Sequence, residues 1–425
     1  MSKNLNNTEL SKFISNLKIN QLEIPSSKEE DWRFTNLNFF KKKHDKTTNH
    51  SKTNLKIDNT FKSKNKNQLY IENNILDKTF SDINIEGVDI IDMNTAINKY
   101  PKIFKNYFSK IYPFKNDYFC SENLLSLKNG IFVYIEQNTN SNIPIELLFA
   151  NNTTKQVVPR IFIYCCSNTK LSFIERYISL DYSESYTNSI TEILLEENSK
   201  IEYFKIQTES NNATHFSGLG ILQEKNSIIN CHTFTEKTGF TRNNILSKLN
   251  GTNSECHLNG LSIGSESNFI DNHSIIQHSA PHSISSELYK GIYTDSSKGV
   301  FDGKIVVDEN AVNIDSEQLN SNILLSKSAS VNSNPRLEIN TDEVTCKHGS
   351  TIGQLDDEPL FYLKSRGFNH ETAQQILLNG FCNEFVENID TKEIQEDFNE
   401  HINNYISKMS KTFEVFTKDL SSLRT

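Results

Sequence analysis

The chain of 425 residues lacks several features that mark common classes of protein. No apolar run approaches the roughly 18 residues that a membrane-spanning helix needs. The N-terminus, MSKNLNNTELSKF, has no apolar core of the kind found in secretory signal peptides. The seven cysteines are odd in number and form no Cys-x-x-Cys pair, which favours free thiols over a disulfide framework. These absences predict a cytoplasmic protein without a membrane segment.

Excess positive charge and the usual catalytic motifs are also missing. The formal net charge of −9 argues against nucleic acid as the main partner. The lysine-rich stretch over 41–66 is predicted to be a solvated, variable connector, as like-charged runs usually are. No Gly-x-x-x-x-Gly-Lys-(Ser/Thr) loop occurs, so the chain itself is not expected to hydrolyse ATP. No Ser-His-Asp order or paired-carboxylate pattern stands out, and a non-enzymatic role is therefore predicted.

Short runs rich in Ile, Val, Phe and Tyr recur from about Asn129 onward, separated by Asn, Ser, Thr and Gly. Helical signals nearly vanish until Asp356. More than two hundred residues of short strands with few prolines predict a mainly β core, as a solenoid, a barrel or a sandwich.

An internal repeat favours the solenoid. The pattern Asn-(Ser/Thr)-x-apolar occurs four times, and its apolar positions differ by 30, 28 and 27 residues: Leu171, Ile201, Ile229 and Cys256. A near-constant period between about 20 and 50 residues is typical of solenoids. The Asn and Ser residues are predicted to form corners between strands. The four apolar side chains are then predicted to be buried and stacked along one wall.

The stretch from Pro335 to Phe368 combines a strand pattern with a helix pattern. On a strand, Cys346 and His348 point to the same face, about 6.6 Å apart, so both could reach one metal centre. They supply two ligands where structural zinc sites and iron–sulfur clusters usually need four, so a metal site here would need a partner. Taken alone, such a pair more often packs than binds. Asp356 or Asp357 is predicted to cap the following helix, and Asn369 the next one.

Four segments in this order resemble SufD-like members of the SufB/SufD family, which are scaffold proteins of the SUF iron–sulfur cluster assembly system. The matching segments are Lys28–Leu37 with the single Trp32, Pro335–Ile339, Val344–Gly349 and Asp356–Gly367. The resemblance implies a right-handed parallel β-helix core flanked by helical regions. The predicted division is a mostly helical region over 1–128, the β-helix over 129–352 and a helical region over 353–425. The N-terminal cysteine cluster of SufB-type chains is missing, which favours the SufD type.

The resemblance also implies partners and sites. A SufD-like scaffold pairs with SufB and docks the ATPase SufC, so ATP would act only through SufC, and a homodimer is expected when the chain is isolated. It implies that His348 lies at the SufB interface, with Cys346 beside it, at a transient iron–sulfur cluster shared with SufB. The region implied to dock SufC carries six candidate residues: Leu360, Phe361, Tyr362, Arg366, Phe381 and Phe385. Flavin binding stays open.

Two rival functions and one rival metal site remain at the level of the sequence. A secreted-type β-helix carbohydrate-active enzyme is one alternative, and a stand-alone structural solenoid is the other. Co-purification with an ATPase would separate the scaffold from both. His273, His278 and His282 could suggest a metal site. However, His273 and His278 would face opposite sides of a strand, and Pro281 interrupts regular structure before His282, so turn chemistry and packing are favoured.

Overall fold

A computed structural model describes residues 8–40, 67–76, 83, 85–153, 155–180 and 184–422. The predicted connector over 41–66 lies outside the described residues. The described strands are β1 Gln68–Glu72, β2 Ile75–Leu76, β3 Val88–Asp92, β4 Ile131–Ile135, β5 Ile145–Asn151, β6 Gln156–Val157, β7 Arg160–Cys165, β8 Lys170–Ser179, β9 Tyr186–Leu195, β10 Lys200–Thr208, β11 Thr214–Gln223, β12 Ile228–Glu236, β13 Phe240–Leu249, β14 Glu255–Gly264, β15 Phe269–His278, β16 Ile284–Tyr293, β17 Lys298–Val307, β18 Ile314–Leu324, β19 Ser330–Ile339 and β20 Val344–Gly353. The described α-helices are α1 Glu9–Asn16, α2 Met93–Lys99, α3 Pro101–Tyr107, α4 Tyr118–Ser126, α5 Asp357–Ser365, α6 His370–Glu387 and α7 Lys392–Ser422, with a 3₁₀ turn at Glu30–Trp32.

The strands form a parallel β-solenoid, as predicted. From β7 onward, alternate strands belong to alternate sheets, and each strand pairs in parallel with the strand two positions later. One sheet therefore ends at β20 and the other at β19, and they are called here the even-numbered and the odd-numbered sheet. The names follow the strands from β7 onward; of the earlier strands, β1, β2 and β5 belong to the even-numbered sheet, and β3 and β4 to the odd-numbered sheet. At the opposite end, β1 adds in parallel to β5 and β3 adds antiparallel to β4. Both sheets thus begin before residue 129, and the division into three regions stays a prediction.

The repeat seen in the sequence forms one inner wall of the solenoid. Leu171, Ile201, Ile229 and Cys256 occupy the same register position on β8, β10, β12 and β14, and each side chain is buried. The stacking prediction is therefore confirmed. The same column continues through Ser285 and Ser316 to Cys346 on β20. The period that builds the core therefore also places Cys346 on the inward face of the last strand.

Asparagines turn the corners before five consecutive strands of the sheet that ends at β20, from β5 to β14, as the repeat predicts. Asn138, Asn168, Asn198, Asn226 and Asn253 all adopt the left-handed conformation, with φ between 56° and 66°. Asparagine tolerates this region better than other residues that carry a Cβ atom. After Asn138, each of the other four side-chain amides donates to the side-chain oxygen of the preceding corner asparagine, at 2.9 to 3.1 Å. The corners are thus joined into a ladder along the solenoid.

Replacing Asn198 with alanine should lower the free energy of unfolding by about 1–2 kcal/mol, measured by urea denaturation. Alanine would keep a Cβ atom at positive φ and would lose both ladder bonds, to Asn168 and from Asn226. Glycine at the same position loses the bonds without the steric strain, so Asn198→Gly is the matched control and should be milder. Equal losses in the two variants would contradict the role given to the left-handed corner.

Helices cover the outer faces of the sheets. On the odd-numbered sheet, Phe104 and Phe108 pack with Phe132 and Phe162. On the even-numbered sheet, α6 and α7 pack a second apolar layer over the outward-facing residues of β8 to β16: Ile174, Phe204, Ile206, Phe234, Leu261, Ile263 and Ile292. The predicted caps Asp356 and Asn369 are confirmed, because their side chains accept from Glu358 N–H and Thr372 N–H.

The segment around Trp32 lies across the outer face of the odd-numbered sheet. Trp32 is buried near Phe119, and the Arg242 guanidinium lies 3.7 Å from its ring centre. Asp271 accepts hydrogen bonds from Arg242 and from Thr35. The nearby cation of Arg242 holds the pKa of Asp271 down, at about 2, in spite of its burial. This part of the resemblance therefore corresponds to a packing anchor.

Candidate functional site

The solenoid is uncovered at its C-terminal end. Among the described residues, β19 pairs with β17 alone and β20 with β18 alone, so one backbone edge of each strand has no neighbouring strand. Residues on the inward face of earlier strands are buried, whereas most of β19 and β20 is exposed or half-buried. An open edge presents unpaired N–H and C=O groups and invites pairing with another chain.

Cys346 and His348 lie together on the inward face of β20, as predicted from their spacing. Cys346 follows Ser316 in register and is half-buried, whereas His348 follows Gln318 and is exposed. The Cys346 side chain packs beside the cluster formed by Ile305, Val307, Ala311 and Ile314. Burial raises the pKa of the Cys346 thiol, and the negative charge of Asp315 adds to the rise. A metal bound there would therefore have to displace the thiol proton.

A buried polar group lies two strands deeper than His348 in the same column. Register pairing links His348 to Gln318 and Gln318 to Glu287, and Glu287 accepts hydrogen bonds from Gln318 and from Ser274. Burial raises the pKa of the Glu287 carboxyl from 4.5 to about 7; the two hydrogen bonds oppose the rise and the charge of Asp302 adds to it. Sequence reasoning missed this pair, although counting back by the repeat, 30 and then 31 residues from His348, leads to Gln318 and Glu287.

Replacing Glu287 with glutamine should remove part of the pH dependence of stability. The folded protein holds the proton of the Glu287 carboxyl more tightly than the unfolded chain does, because the pKa of this carboxyl is near 4.5 in the unfolded chain. Wild-type stability from this group is therefore complete below about pH 4.5 and declines as the pH rises through about 7. Urea denaturation measures the free energy of unfolding of both proteins. Between about pH 4 and about pH 8, the difference between Glu287→Gln and the wild type should change by about 3 kcal/mol in favour of the variant. A constant difference across that range would contradict the assignment.

The candidate histidines His273, His278 and His282 do not form one site. His273 bonds to Asp271 on the outer face, whereas His278 is buried and bonds to Ser283 and Ser285. Burial lowers the pKa of His278 to about 4. His282 occupies a corner at φ 60°. Across the residues that the structure describes, no group of three or more metal-binding side chains is close enough to hold an ion.

Five of the six candidate docking residues are at least partly exposed. Phe361 and Tyr362 on α5 are 73% and 55% exposed, and the Arg366 guanidinium lies 5.1 Å from the Tyr362 ring centre. Leu360 is half-buried. Phe381 is partly buried beneath the ammonium of Lys290.

Phe385 is the exception, and the structure corrects the prediction for it. Its side chain is 0% exposed and packs against Phe398 and His232 of the same chain. It cannot meet a partner unless α6 leaves the sheet. The apolar face of α6 is therefore occupied by the chain itself, which leaves the exposed residues of α5 and Arg366 as the docking candidates.

Comparison with known proteins decides the family. The family model for the SUF system FeS cluster assembly SufBD core domain matches residues 148–381, and the model for the SufBD protein N-terminal region matches residues 8–147. The chain belongs to the SufBD family. The two matches together cover both the solenoid and the helices before it.

Curated relatives resemble the chain over different lengths. The iron–sulfur cluster assembly protein SufD of Escherichia coli is 33% identical over 50% of this chain and 51% of its own length. A SufBD family protein of Synechocystis is 30% identical over 66% of this chain and 64% of its own length. The chloroplastic protein ABCI7 of Arabidopsis thaliana is 26% identical over 89% of this chain and 82% of its own length. The chain thus aligns with about half to two thirds of the first two relatives.

Within the described ranges, no helix is both long enough and apolar enough to cross a membrane.

Proposed function

We propose that this SufBD family chain is a non-enzymatic, SufD-like scaffold subunit of the SUF assembly system. It pairs with SufB through the open end of the solenoid, and ATP is hydrolysed only by SufC, held on the C-terminal helices. The observation that carries the proposal is the uncovered terminal pair of strands, with His348 and Cys346 on its inward face. The free cysteines among the described residues agree with a reducing compartment, for which we propose the cytoplasm.

The open end has the properties of an interface. Ile339 on β19 and Ile352 on β20 lie on the inward face, yet they are 39% and 45% exposed. A partner that continued both sheets would satisfy the free backbone edges and would cover these side chains. The same edges could pair two copies of this chain, which is the basis for the proposed homodimer of the isolated protein.

The chemistry at this end suits cargo that is held briefly. Cys346 offers a soft sulfur ligand and His348 a nitrogen ligand, both types that iron–sulfur centres use. Two ligands cannot complete the usual set of four, so SufB would supply the remainder. We propose that the nascent cluster is the cargo, shared between the two chains and released when their contact changes.

Docking of SufC is proposed on α5. This helix follows β20 directly, and none of its side chains is buried. Phe361 and Tyr362 form an exposed aromatic pair, beside which Arg366 stacks. Aromatic and arginine side chains of this kind often contribute most of the affinity of a protein interface.

Co-purification from native cells tests this function. The chain should retain a SufB-type subunit and a SufC-type ATPase, and the complex should contain iron and acid-labile sulfide. A chain that purifies without an ATPase, and without iron or sulfide under oxygen-free conditions, would contradict the proposal. The same result would favour a stand-alone solenoid.

A further inference from the structure

Gln318 lies between the candidate site and the deepest polar group beneath it. Its side chain is fully buried, and its register partner on the terminal strand is His348. Neighbouring strands lie about 4.8 Å apart, so the two side chains are adjacent on the inward face. The Nε2 atom of Gln318 donates to Glu287, whereas its Oε1 atom is buried and has no hydrogen-bond partner in the described structure.

The opposite sheet leaves room for this amide. A Cβ atom on Gly303 would lie 2.2 Å from Gln318 Nε2, so any other residue at position 303 would displace the amide. Gly303 lies on β17, in the neighbouring sheet. The position of Gln318 is therefore set from both sides of the solenoid interior, and its unpaired oxygen is not explained by loose packing.

The two ends of an amide have opposite hydrogen-bonding character. The amino end donates and the carbonyl end accepts, and a half-turn about the last side-chain bond exchanges them at little steric cost. An ionised Glu287 accepts only, so it requires the amino end of Gln318 and leaves the carbonyl end turned away. A neutral Glu287 can donate its proton to the carbonyl end, which turns the amino end away.

We propose that Gln318 is a positioning residue for His348, and that the protonation state of Glu287 selects which end of the Gln318 amide faces the terminal strand. The inference rests on the proposed function of His348. In one state the site next to His348 contains a hydrogen-bond acceptor, and in the other it contains a donor. The orientation of the imidazole, and hence the ring nitrogen that it offers to a cluster, follows from that choice.

The surroundings of Glu287 make both states accessible near neutrality. Its carboxyl has a pKa raised by burial to about 7, and the inward-facing ionisable groups near it are Tyr289 on its own strand and Cys256 on β14. Asp302 on β17 adds to the rise through its charge, but its side chain lies on the outer face and bonds to Arg336. Burial raises the pKa of Tyr289 and of Cys256, so these two are neutral at that pH. Ser274 on β15 bonds to the other carboxyl oxygen and can donate or accept.

The test is NMR of the full chain with ¹⁵N-labelled glutamine side chains, at about pH 6 and about pH 8. The Gln318 amide signal is assigned by its loss in Gln318→Leu. It should move with pH in the wild type and stay constant in Glu287→Gln. Gly303→Ala should shift the same signal at both pH values. In Gln318→Leu, the His348 ring signals, assigned with His348→Ala, should shift while those of the exposed His370 should not.

The outcomes separate this inference from the proposed function. A Gln318 signal that ignores pH, or that responds equally in Glu287→Gln, overturns the inference and leaves the proposed function intact. This result is expected if the neutral Glu287 carries its proton on the oxygen that bonds to Ser274, because the Gln318 amide then has no reason to turn. Unchanged His348 signals in Gln318→Leu would also overturn it. If Gln318 follows Glu287 while His348→Ala complexes keep the wild-type amount of cluster, the role proposed for His348 in the assembly function fails instead.

Discussion

Replacing His348 with alanine should reduce the cluster yield of the purified complex by about tenfold or more, while the complex still assembles. Mutation of a residue that only orients a metal ligand already lowers metal affinity by about this factor, so the loss of a ligand itself should lower it at least as much. The side chain is exposed at the end of the solenoid, so its loss leaves no cavity in the core. Iron and sulfide analysis of complexes purified with each variant measures the effect.

Lys347→Ala is the matched control for this variant. Lys347 lies on the same strand and its side chain points to the opposite face, so the variant should retain the wild-type cluster yield. Cys346→Ser should match His348→Ala if the thiol is a ligand, and should have a smaller effect if the thiol mainly packs. If complexes of His348→Ala carry the wild-type amount of cluster, His348 is structural and the site lies elsewhere.

Replacing Phe361 with aspartate should weaken SufC binding by about 2 kcal/mol or more, which is roughly thirtyfold in Kd. The ring is 73% exposed on α5, so the change removes a candidate anchor without disturbing a packed core. A charged side chain would also have to be buried without a partner at the interface. Isothermal titration of the full chain with purified SufC measures the loss.

Leu125→Asp is the control for the general effect of a new surface charge. Leu125 is an exposed apolar residue on α4, in the N-terminal helical region, and its replacement should leave SufC affinity unchanged. A point variant is preferable to a truncation after Gly353. Such a truncation would strip α6 and α7 from the sheet and expose Phe204, Phe234 and their neighbours. Unchanged affinity in Phe361→Asp would remove α5 from the docking site.

Much of the fold could be predicted because a solenoid repeats its local chemistry. Asn198 and Ile201 carry the signal of one turn, a left-handed corner followed by an inward apolar side chain, and the next turn repeats it. The shared face of Cys346 and His348 follows from strand geometry alone. The family resemblance then supplied a reason to treat this pair as functional.

The parts that could not be predicted depend on contacts distant in sequence. The apolar face of α6 is visible as a pattern, but a pattern does not tell whether a partner or the chain's own sheet covers it; for Phe385 it is the sheet. Similarly, β1 pairs with β5 more than seventy residues later, which no local signal predicts. Counting back by the repeat leads from His348 to Gln318 and Glu287, but the hydrogen bond between these two side chains is visible only in the structure.

We propose that this chain meets SufB at the open end of the solenoid. Amide hydrogen exchange of the chain, alone and in complex with SufB, tests it most directly. We expect strong new protection in β19 and β20, because their free backbone edges become paired, and little change in β10, which already lies between β8 and β12. If the complex forms while exchange in β19 and β20 stays as fast as in the free chain, the interface with SufB lies elsewhere on the molecule.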